Sequence, residues 1–547
     1  MFPRHHRNYT FYQNSGALLI AIFGAMSVAD YNYIAGNSRN QMQFFALEEL
    51  VPENSWARVI DLFVDLLPLK ELGFKHTVLQ KQGRPPYDPT LFLKLYLYGY
   101  KHSIRSSRKL EHCCKVNIEL WWLLKSLKPS FRSIAYFRKD NAAAIKAAFR
   151  YFVIMLQDLE FIEGQTIVFD SFKIRAQNNF RKNYSQKKID RHIDYIDNKI
   201  DLYEQQLNES DASEKEDLKV KIEVQQKRRQ KYETLEIKLV ESGDTQISET
   251  DRDAKALRAN NNGTDVGYCI QAATDQKHKL FVHADIGAVT DARELSPMAL
   301  EVKNLLDLKE FNALSDAGYS AGEQFQICKS AGIVTYSAPM PTTSPSKDCI
   351  PTAEFVYNKK DDSYLCPAGH QMKQNGRPTH RGNWLSYIYK TSACQTCSIR
   401  QDCTQNKTGR TIERTQYQDV VDENRERVLA NPDYYKLRQQ IIEHQFGILK
   451  RQWGFTFTLL KGKAGAMSEV NLLMIVYNLT RMVSIIGINE FKRKLSELLN
   501  SVLSFLQLLR RIIGVLRQCK TFRLNSSTQN LFKICRFNSL QNQSIGL

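Results

Sequence analysis

The sequence predicts an α/β protein with a helical N-terminal region, on three observations. Two short apolar runs each end in an aspartate, Thr166-Ile-Val-Phe-Asp170 and Phe311-Asn-Ala-Leu-Ser-Asp316, and read as buried strands that deliver a carboxylate at the strand end. From Gly267 to Ala331, strand signals and helical patterns alternate in the α/β manner. Residues Leu47 to about Phe152 read instead as mostly helical, broken at Pro52, Pro68, Pro85-Pro86, Pro89 and Pro129. At 547 residues the chain exceeds one ordinary domain, and its 43% hydrophobic content is ample for packed cores, so two or three globular units are expected.

In the helical region, Leu91, Leu93, Leu95, Leu97 and the aromatics between them make one dense apolar helix, and Ile104–Lys115 makes a basic one. A short helix pair of this kind can lay a basic face along a duplex, with Arg105, Arg108 and Lys109 as phosphate ligands. A helical packing or dimerisation unit with incidental surface charge is the alternative. Further on, Ile189, Ile193, Ile196, Ile200, Tyr203 and Leu207 form a heptad seam. Asn208–Ser213 breaks it, and Ser213-Glu-Lys-Glu216 resembles a capping box that opens a second helix from about Lys215 to Leu239. The expectation is an antiparallel helical hairpin inserted in the α/β unit. Strands at Gly267–Thr274 and Lys279–Ile286, joined by Asp275-Gln-Lys-His, follow as a β-hairpin. A helix at about Leu295–Leu306, the strand ending in Asp316 and a helix at about Gly322–Ala331 complete a mixed sheet flanked by helices.

The formal net charge is +18, and between Lys81 and Asn141 there are 13 Lys or Arg against four Asp or Glu. Phosphate-rich partners fit such a surface. Eleven cysteines is an odd number, and Cys113, Cys269 and Cys328 sit inside apolar runs, which argues against a secreted disulfide framework.

A third acid, Glu443, lies inside the helical stretch Tyr434–Gln452, where Asn431-Pro432 supplies an N-cap followed by proline at the first helical position. Three carboxylates offer hard oxygen ligands, which suit Mg²⁺ or Mn²⁺. The segments around them, Asp170-Ser-Phe-Lys-Ile-Arg-Ala, Leu314-Ser-Asp316-Ala-Gly-Tyr-Ser and Ile442-Glu443-His-Gln-Phe-Gly-Ile-Leu-Lys450, resemble the three catalytic blocks of bacterial insertion-sequence transposases of the DDE type. Gly83–Tyr100, Ile104–Glu111 and Ile134–Asn141 resemble the helical N-terminal domain of the same transposases, and the likeness runs from about Tyr31 to about Gly487. The resemblance implies a ribonuclease-H-like fold split by insertions. It also implies a two-metal site in which Asp170 bridges both ions while Asp316 and Glu443 each complete one coordination sphere.

Related transposases carry a Tyr, Arg, Glu, Lys signature on the third helix, for which Tyr435, Arg438, Glu443 and Lys450 are the candidates. Arg438 precedes Glu443 by five positions, where four would hold both on one face. Lys450, seven positions on, returns to that face, and both basic residues are assigned to DNA. Asp251, Asp253 and His444 are left outside the metal shell.

Cys366-Pro-Ala-Gly-His370, Cys394-Gln-Thr-Cys397 and Cys403 have a spacing compatible with one tetrahedral zinc site, with His370 as a spare ligand. Four free thiols are the alternative. The same pattern occurs in this transposase group, between the second Asp and the Glu. Near the N-terminus, Ala17–Ala29 behind Arg4, His5, His6 and Arg7 mimics a signal peptide but is too short to span a membrane. Because the family-like sequence begins near Tyr31, an over-extended or fused start, with Met26 as an alternative initiator, is preferred, and a cytoplasmic, nucleoid-associated protein follows. After Gly487, Phe491–Leu516 reads as a basic amphipathic helix that grips DNA or has no function.

The expected organisation is an atypical leader (1–40), a helical DNA-binding domain (41–160), a first catalytic part (161–345) carrying the inserted hairpin (185–245), a zinc-ribbon-like insertion (346–410), a second catalytic part (411–487) and a basic tail (488–547). The expected function is DNA transposition by a homodimer or higher oligomer that binds terminal inverted repeats, cleaves at their ends and joins the 3′ hydroxyls to a target, with no membrane partner. A nuclease of the same fold and a DNA-binding regulator are the rivals.

Overall fold

The computed structural model describes residues 40, 42, 44–78, 85–209, 211–258, 263–339, 349–382 and 384–500. The leader through residue 39, with its signal-like run, and the tail beyond residue 500 lie outside the described residues. In the stretch up to Leu50, the described residues form one short helix, Leu47–Leu50.

From Val51 the chain forms one compact unit that opens with six helices: α1 (Trp56–Asp65), α2 (Pro89–Lys101), α3 (Ser107–Val116), α4 (Ile118–Leu123), α5 (Phe131–Asp140) and α6 (Ala142–Asp158). The caps are local. Ser55, Asp88, Asn117 and Ser130 each accept a hydrogen bond from a backbone N–H in the first turn of the helix that follows. Apolar on nearly every side, α2 has 10 of its 13 residues buried, and α1, α4 and α5 pack against it.

The central sheet starts with β1 (Thr166–Arg175), the strand bearing Asp170. A short ribbon of β2 (Asn183–Ser185) and β3 (Gln246–Ser248) flanks the inserted hairpin of α7 (Gln186–Glu209) and α8 (Ala212–Ser242). Ile189 and Ile196 early in α7 pack with Tyr232, Leu235 and Leu239 late in α8, so the two helices run antiparallel, as the heptad seam requires. The second helix starts earlier than the capping box suggested: Asp211 stands at the N-cap and Ala212 opens the helix.

Then come β4 (Lys255–Arg258), β5 (Thr264–Asp275), β6 (Phe281–Gly287), α9 (Leu295–Leu306), β7 (Phe311–Ser315), α10 (Gly322–Ser330) and β8 (Ile333–Ser337). The strand order is β4-β5-β1-β7-β8, with β6 also on β5. β1 is antiparallel to β5 and parallel to β7, which is in turn parallel to β8. A mixed sheet flanked by helices is thus present. Asp170 does not end its strand as the sequence suggested, since β1 continues to Arg175, but the parallel pairing of Thr166–Val168 with Asn312–Leu314 sets Asp170 beside Asp316, which directly follows β7.

A second, antiparallel sheet holds the cysteine-rich segment: β9 (Val356–Asn358), β10 (Ser363–Leu365), β11 (Gln371–Gln374), β12 (Thr379–Arg381), β13 (Trp384–Lys390) and β14 (Ile412–Thr415). Because β14 pairs with β13, this unit runs past the expected boundary at residue 410. The chain returns to the first sheet through α11 (Gln418–Ala430), α12 (Pro432–Gly447), a π-helical turn at Ile448–Gln452 and α13 (Lys463–Ile486).

α13 is long and apolar enough to cross a membrane by length and composition, yet it is the packing axis of the molecule. It packs against α2 and α6 of the helical region and against β6 of the sheet, and its buried Asn478 bonds the backbone N–H and C=O of Phe281 at 2.9 and 2.8 Å. One apolar core therefore continues from the helical region into the sheet, and the expected boundary near residue 160 is no break in packing.

Candidate active site

On β1 the side chains alternate between faces. Ile167 and Phe169 enter the main core, whereas Val168 packs with Leu314, Ile441 and Ile442 beneath α12. Asp170 continues the α12 side of that alternation, its side chain only 16% exposed. Its Oδ1 accepts from the Ser171 N–H at 2.7 Å, and its Oδ2 is paired with Arg438 Nη1 at 3.0 Å. Burial raises the Asp170 carboxyl to about 6, against the pull of the Ser171 N–H and the Arg438 charge, and with further upward push from the carboxylates of Asp316 and Asp291. Asp316 caps the turn that follows β7, its Oδ1 accepting from the Gly318 N–H at 2.8 Å.

α12 lies along this edge and anchors it. Tyr434 Oη bonds Thr166 Oγ1 at 2.7 Å and accepts from Asn312 at 2.9 Å, while Tyr435 Oη donates to the carbonyl of Ser315, the residue before Asp316, at 3.2 Å. Phe446 packs on Phe172, and Lys450 lies 5.6 Å from the same ring. Desolvation lowers the Lys450 ammonium pKa, while the nearby Asp170 carboxylate opposes that shift.

The structure brings together Asp170, Asp316, Arg438 and Lys450, but not Glu443. Glu443 is exposed, and among the described residues no three acidic, His or Cys side chains close into one metal-holding group. The cause is helical register: Ile441, Ile442 and Gln445 face the sheet, and a residue 100° past Ile442 points outward. His444 is exposed beside it. Arg438, assigned to DNA from the sequence, instead belongs to Asp170. The five-residue interval that looked unfavourable is what turns Arg438 toward the sheet while Glu443 faces away.

Arg105 is a second correction. It was expected to bind phosphate, but its side chain is 10% exposed and its Nη1 donates to the Phe457 carbonyl at 2.7 Å. Its guanidinium lies 4.9 and 4.8 Å from the rings of Phe455 and Phe457, and 3.4 Å from the fully buried Glu469 of α13. It is an internal tie. Arg108 and Lys109 are exposed, and Arg108 stands 5.2 Å from the Phe131 ring, which also carries Arg132 at 5.9 Å. With Ile134, Phe137 and Arg138 buried, α5 presents Arg132, Tyr136 and Lys139 to solvent at spacings of four and three, one helical stripe.

Asp251 and Asp253 serve the entry to α13. Asp251 accepts from Tyr268 Oη and the Gly462 N–H, and Asp253 from the Lys463 N–H.

Cys366, Cys394, Cys397 and Cys403 line one cavity of about 20 Å³ together with His370 and Arg410, without closing into a metal-holding group. That volume is the order of a single small occupant. The His370 N–H points at Cys366 Sγ at 3.3 Å. Gly409, at φ +93°, comes so close that a Cβ there would sit 2.6 Å from Cys394 Cβ.

Asp291 was missed from the sequence. It follows β6 in Thr290-Asp291-Ala-Arg-Glu294, where no strand or helix periodicity marks it, and tertiary structure carries it to the aspartate edge. The only available signal was its place just after a strand, shared with many turn-forming aspartates.

Two family models match the chain: a transposase domain (DUF772) over residues 45–140 and a transposase DDE domain over residues 365–483. The first covers α1 to α5, the second the cysteine-rich sheet from the last residue of β10 onward, α11, α12 and most of α13. No curated protein matches. Among solved structures, the cryo-EM structure of a piggyBac transposase synaptic complex with hairpin DNA aligns over 87% of this chain and 88% of that one, at 10% identity and a TM-score of 0.31. A transposase domain in the helical region and a transposase DDE domain from the cysteine-rich sheet into α13 thus lie in one chain, and together they support a DDE transposase of an insertion sequence.

Proposed function

We propose that the protein binds the terminal inverted repeats of its element, cleaves the DNA at their ends and joins the freed 3′ hydroxyls to target DNA. The observation that carries this reading is the place where Asp170, midway along β1, and Asp316, just after the parallel strand β7, come side by side, with Arg438 and Lys450 near Asp170. Asp170 and Asp316 offer hard oxygen donors that fit a divalent ion, Mg²⁺ or Mn²⁺, and Glu443, on the exposed face of α12, is the third holder that the resemblance assigns. When bound, such an ion activates the attacking oxygen and neutralises the leaving one. Lys450 supplies positive charge to a phosphate at this edge, and Arg438 holds the Asp170 carboxylate in place. The exposed Arg108, Lys109, Arg132, Tyr136 and Lys139 form the DNA-binding face of the helical region. In the second sheet, Cys366, Cys394, Cys397 and Cys403 fit one structural Zn²⁺, with His370 as a spare ligand, because thiolates select the softer ion.

The test uses purified protein, Mg²⁺, DNA carrying the sequences that flank its gene, and a supercoiled plasmid. Joined products are expected. Nicked DNA without joining would make the protein a nuclease, and bound, uncut DNA would make it a regulator.

A further inference from the structure

We infer that Asp291, through both of its carboxylate oxygens, is the positioning residue that fixes the Asp170 strand against the Asp316 turn. The inference rests on the active-site reading above. Asp291 Oδ2 accepts from Ser171 Oγ at 3.0 Å, and Ser171 is the residue next to Asp170 on β1. Its Oδ1 accepts from Gln271 Nε2 at 2.6 Å, and Gln271 is the partner of Ser171 across the β1–β5 register. The other end of the Gln271 amide, Oε1, accepts from Tyr319 Oη, and Tyr319 ends the short turn that starts at Asp316. Asp291 therefore reaches the Asp170 strand directly and the Asp316 turn through Gln271 and Tyr319.

The network is buried where it matters, with Gln271 and Tyr319 both 0% exposed. Removing the acceptor leaves the Gln271 amide with only Cys269 Sγ at 3.8 Å, and a buried donor without a proper partner is costly. The backbone accommodates this one conformation. A Cβ on Gly287 would lie 2.6 Å from Gln271 Cγ and 2.9 Å from its Nε2, so only glycine at 287 lets Gln271 lie across to Asp291. Asp291 also approaches the second aspartate, since a Cβ on Gly318 would stand 3.0 Å from Asp316 Oδ1 and 3.7 Å from Asp291 Oδ2. Both Asp291 oxygens already accept from protein donors, which suits a brace rather than a metal ligand.

A brace and a ligand respond differently to Asp291→Asn. An asparagine keeps the shape; its Oδ1 can accept from Gln271 while its Nδ2 donates to the Ser171 hydroxyl, which can accept. As a brace, Asp291→Asn should keep the joining rate within about threefold of wild type, whereas Asp291→Ala should lower it at least about tenfold and raise the half-saturating Mg²⁺ concentration severalfold. Tyr319→Phe, which cuts only the far end of the network, should shift the Mg²⁺ requirement in the same direction. It keeps the inference testable if Asp291→Ala does not fold. Loss of activity in Asp291→Asn equal to that in Asp170→Asn would make Asp291 a ligand and overturn the inference. So would wild-type rates and Mg²⁺ dependence in Asp291→Ala or, failing that, in Tyr319→Phe. Asp170→Asn run in parallel separates the two failures, because activity there would remove the active-site reading itself.

Discussion

Replacing Arg105 by alanine should weaken the fold and spare the ionic part of DNA binding, the reverse of what its place in a basic helix-start sequence suggests. The side chain gives up a charge-assisted bond to the Phe457 carbonyl, typically about 1.5–3 kcal/mol. It also gives up contact with the Phe455 and Phe457 rings, about 0.5–1 kcal/mol each. Glu469 retains the N–H groups of Leu459 and Leu460 at 2.7 Å each, with Arg138 at 3.9 Å, so its carboxylate is not stranded. These contributions are not fully additive, and a loss of about 2–4 kcal/mol is expected, a large share of the roughly 5–15 kcal/mol that holds a typical domain together. Urea unfolding should show a lower midpoint at unchanged slope. Salt titration of end binding gives the second half of the test. Arg108→Ala and Lys109→Ala should each lower the slope of log affinity against log salt by about 0.9, while Arg105→Ala leaves it in place. An unchanged unfolding midpoint together with a slope reduced by about 0.9 in Arg105→Ala would refute the internal role.

Three further outcomes follow from the same geometry. Cleavage should fall as pH drops through about 6, since a proton on Asp170 removes the charge a divalent ion needs; in the metal-free protein the raised value means the native state holds that proton longer than the unfolded chain, so stability declines as pH rises toward 6. A pH–rate profile flat between 5 and 7 would contradict this. Arg438→Ala removes the cation that holds the Asp170 value down, so the acid limb of that profile should move to higher pH; an unmoved or lowered limb would show that the 3.0 Å pair has no electrostatic consequence. Elemental analysis should find about one zinc per chain, and Cys397→Ser should open the segment between about residues 364 and 404 to protease with the Mg²⁺ dependence of joining unchanged; four freely reactive thiols and no zinc would leave the cavity without a metal.

Much of the framework was legible because it depends on local pattern. The Leu295–Leu306 helix, the hairpin of β5 and β6 and the heptad seam of α7 each follow from periodicity within a dozen or so residues. What the sequence withheld depends on approach in space. Arg105 sits among surface-type residues, and only the arrival of Phe457 and Glu469, more than 350 positions later, encloses it. Arg438 and Glu443 share a helix, and which of them meets Asp170 is set by the face that Ile441 and Ile442 bury against Val168 and Leu314. Asp291 becomes part of the aspartate edge only through side chains from β1 and β5. The second sheet escaped notice because its strands are short, several of only three residues, with exposed positions that dilute any alternation.

Asp170 and Asp316, with Glu443 as the third acid that the resemblance assigns, are proposed to perform the DNA chemistry. The most direct measurement is Mg²⁺-dependent joining of element ends to a supercoiled target by Asp170→Asn, Asp316→Asn and Glu443→Gln, with end binding measured alongside. Each loses a charged group at nearly constant shape, so joining should fall well beyond about tenfold in all three, as expected when a metal contact worth several kcal/mol is lost, while end binding holds. Wild-type joining by any one of them, Glu443→Gln on its exposed helix face above all, would contradict the assignment of that residue to the catalytic set.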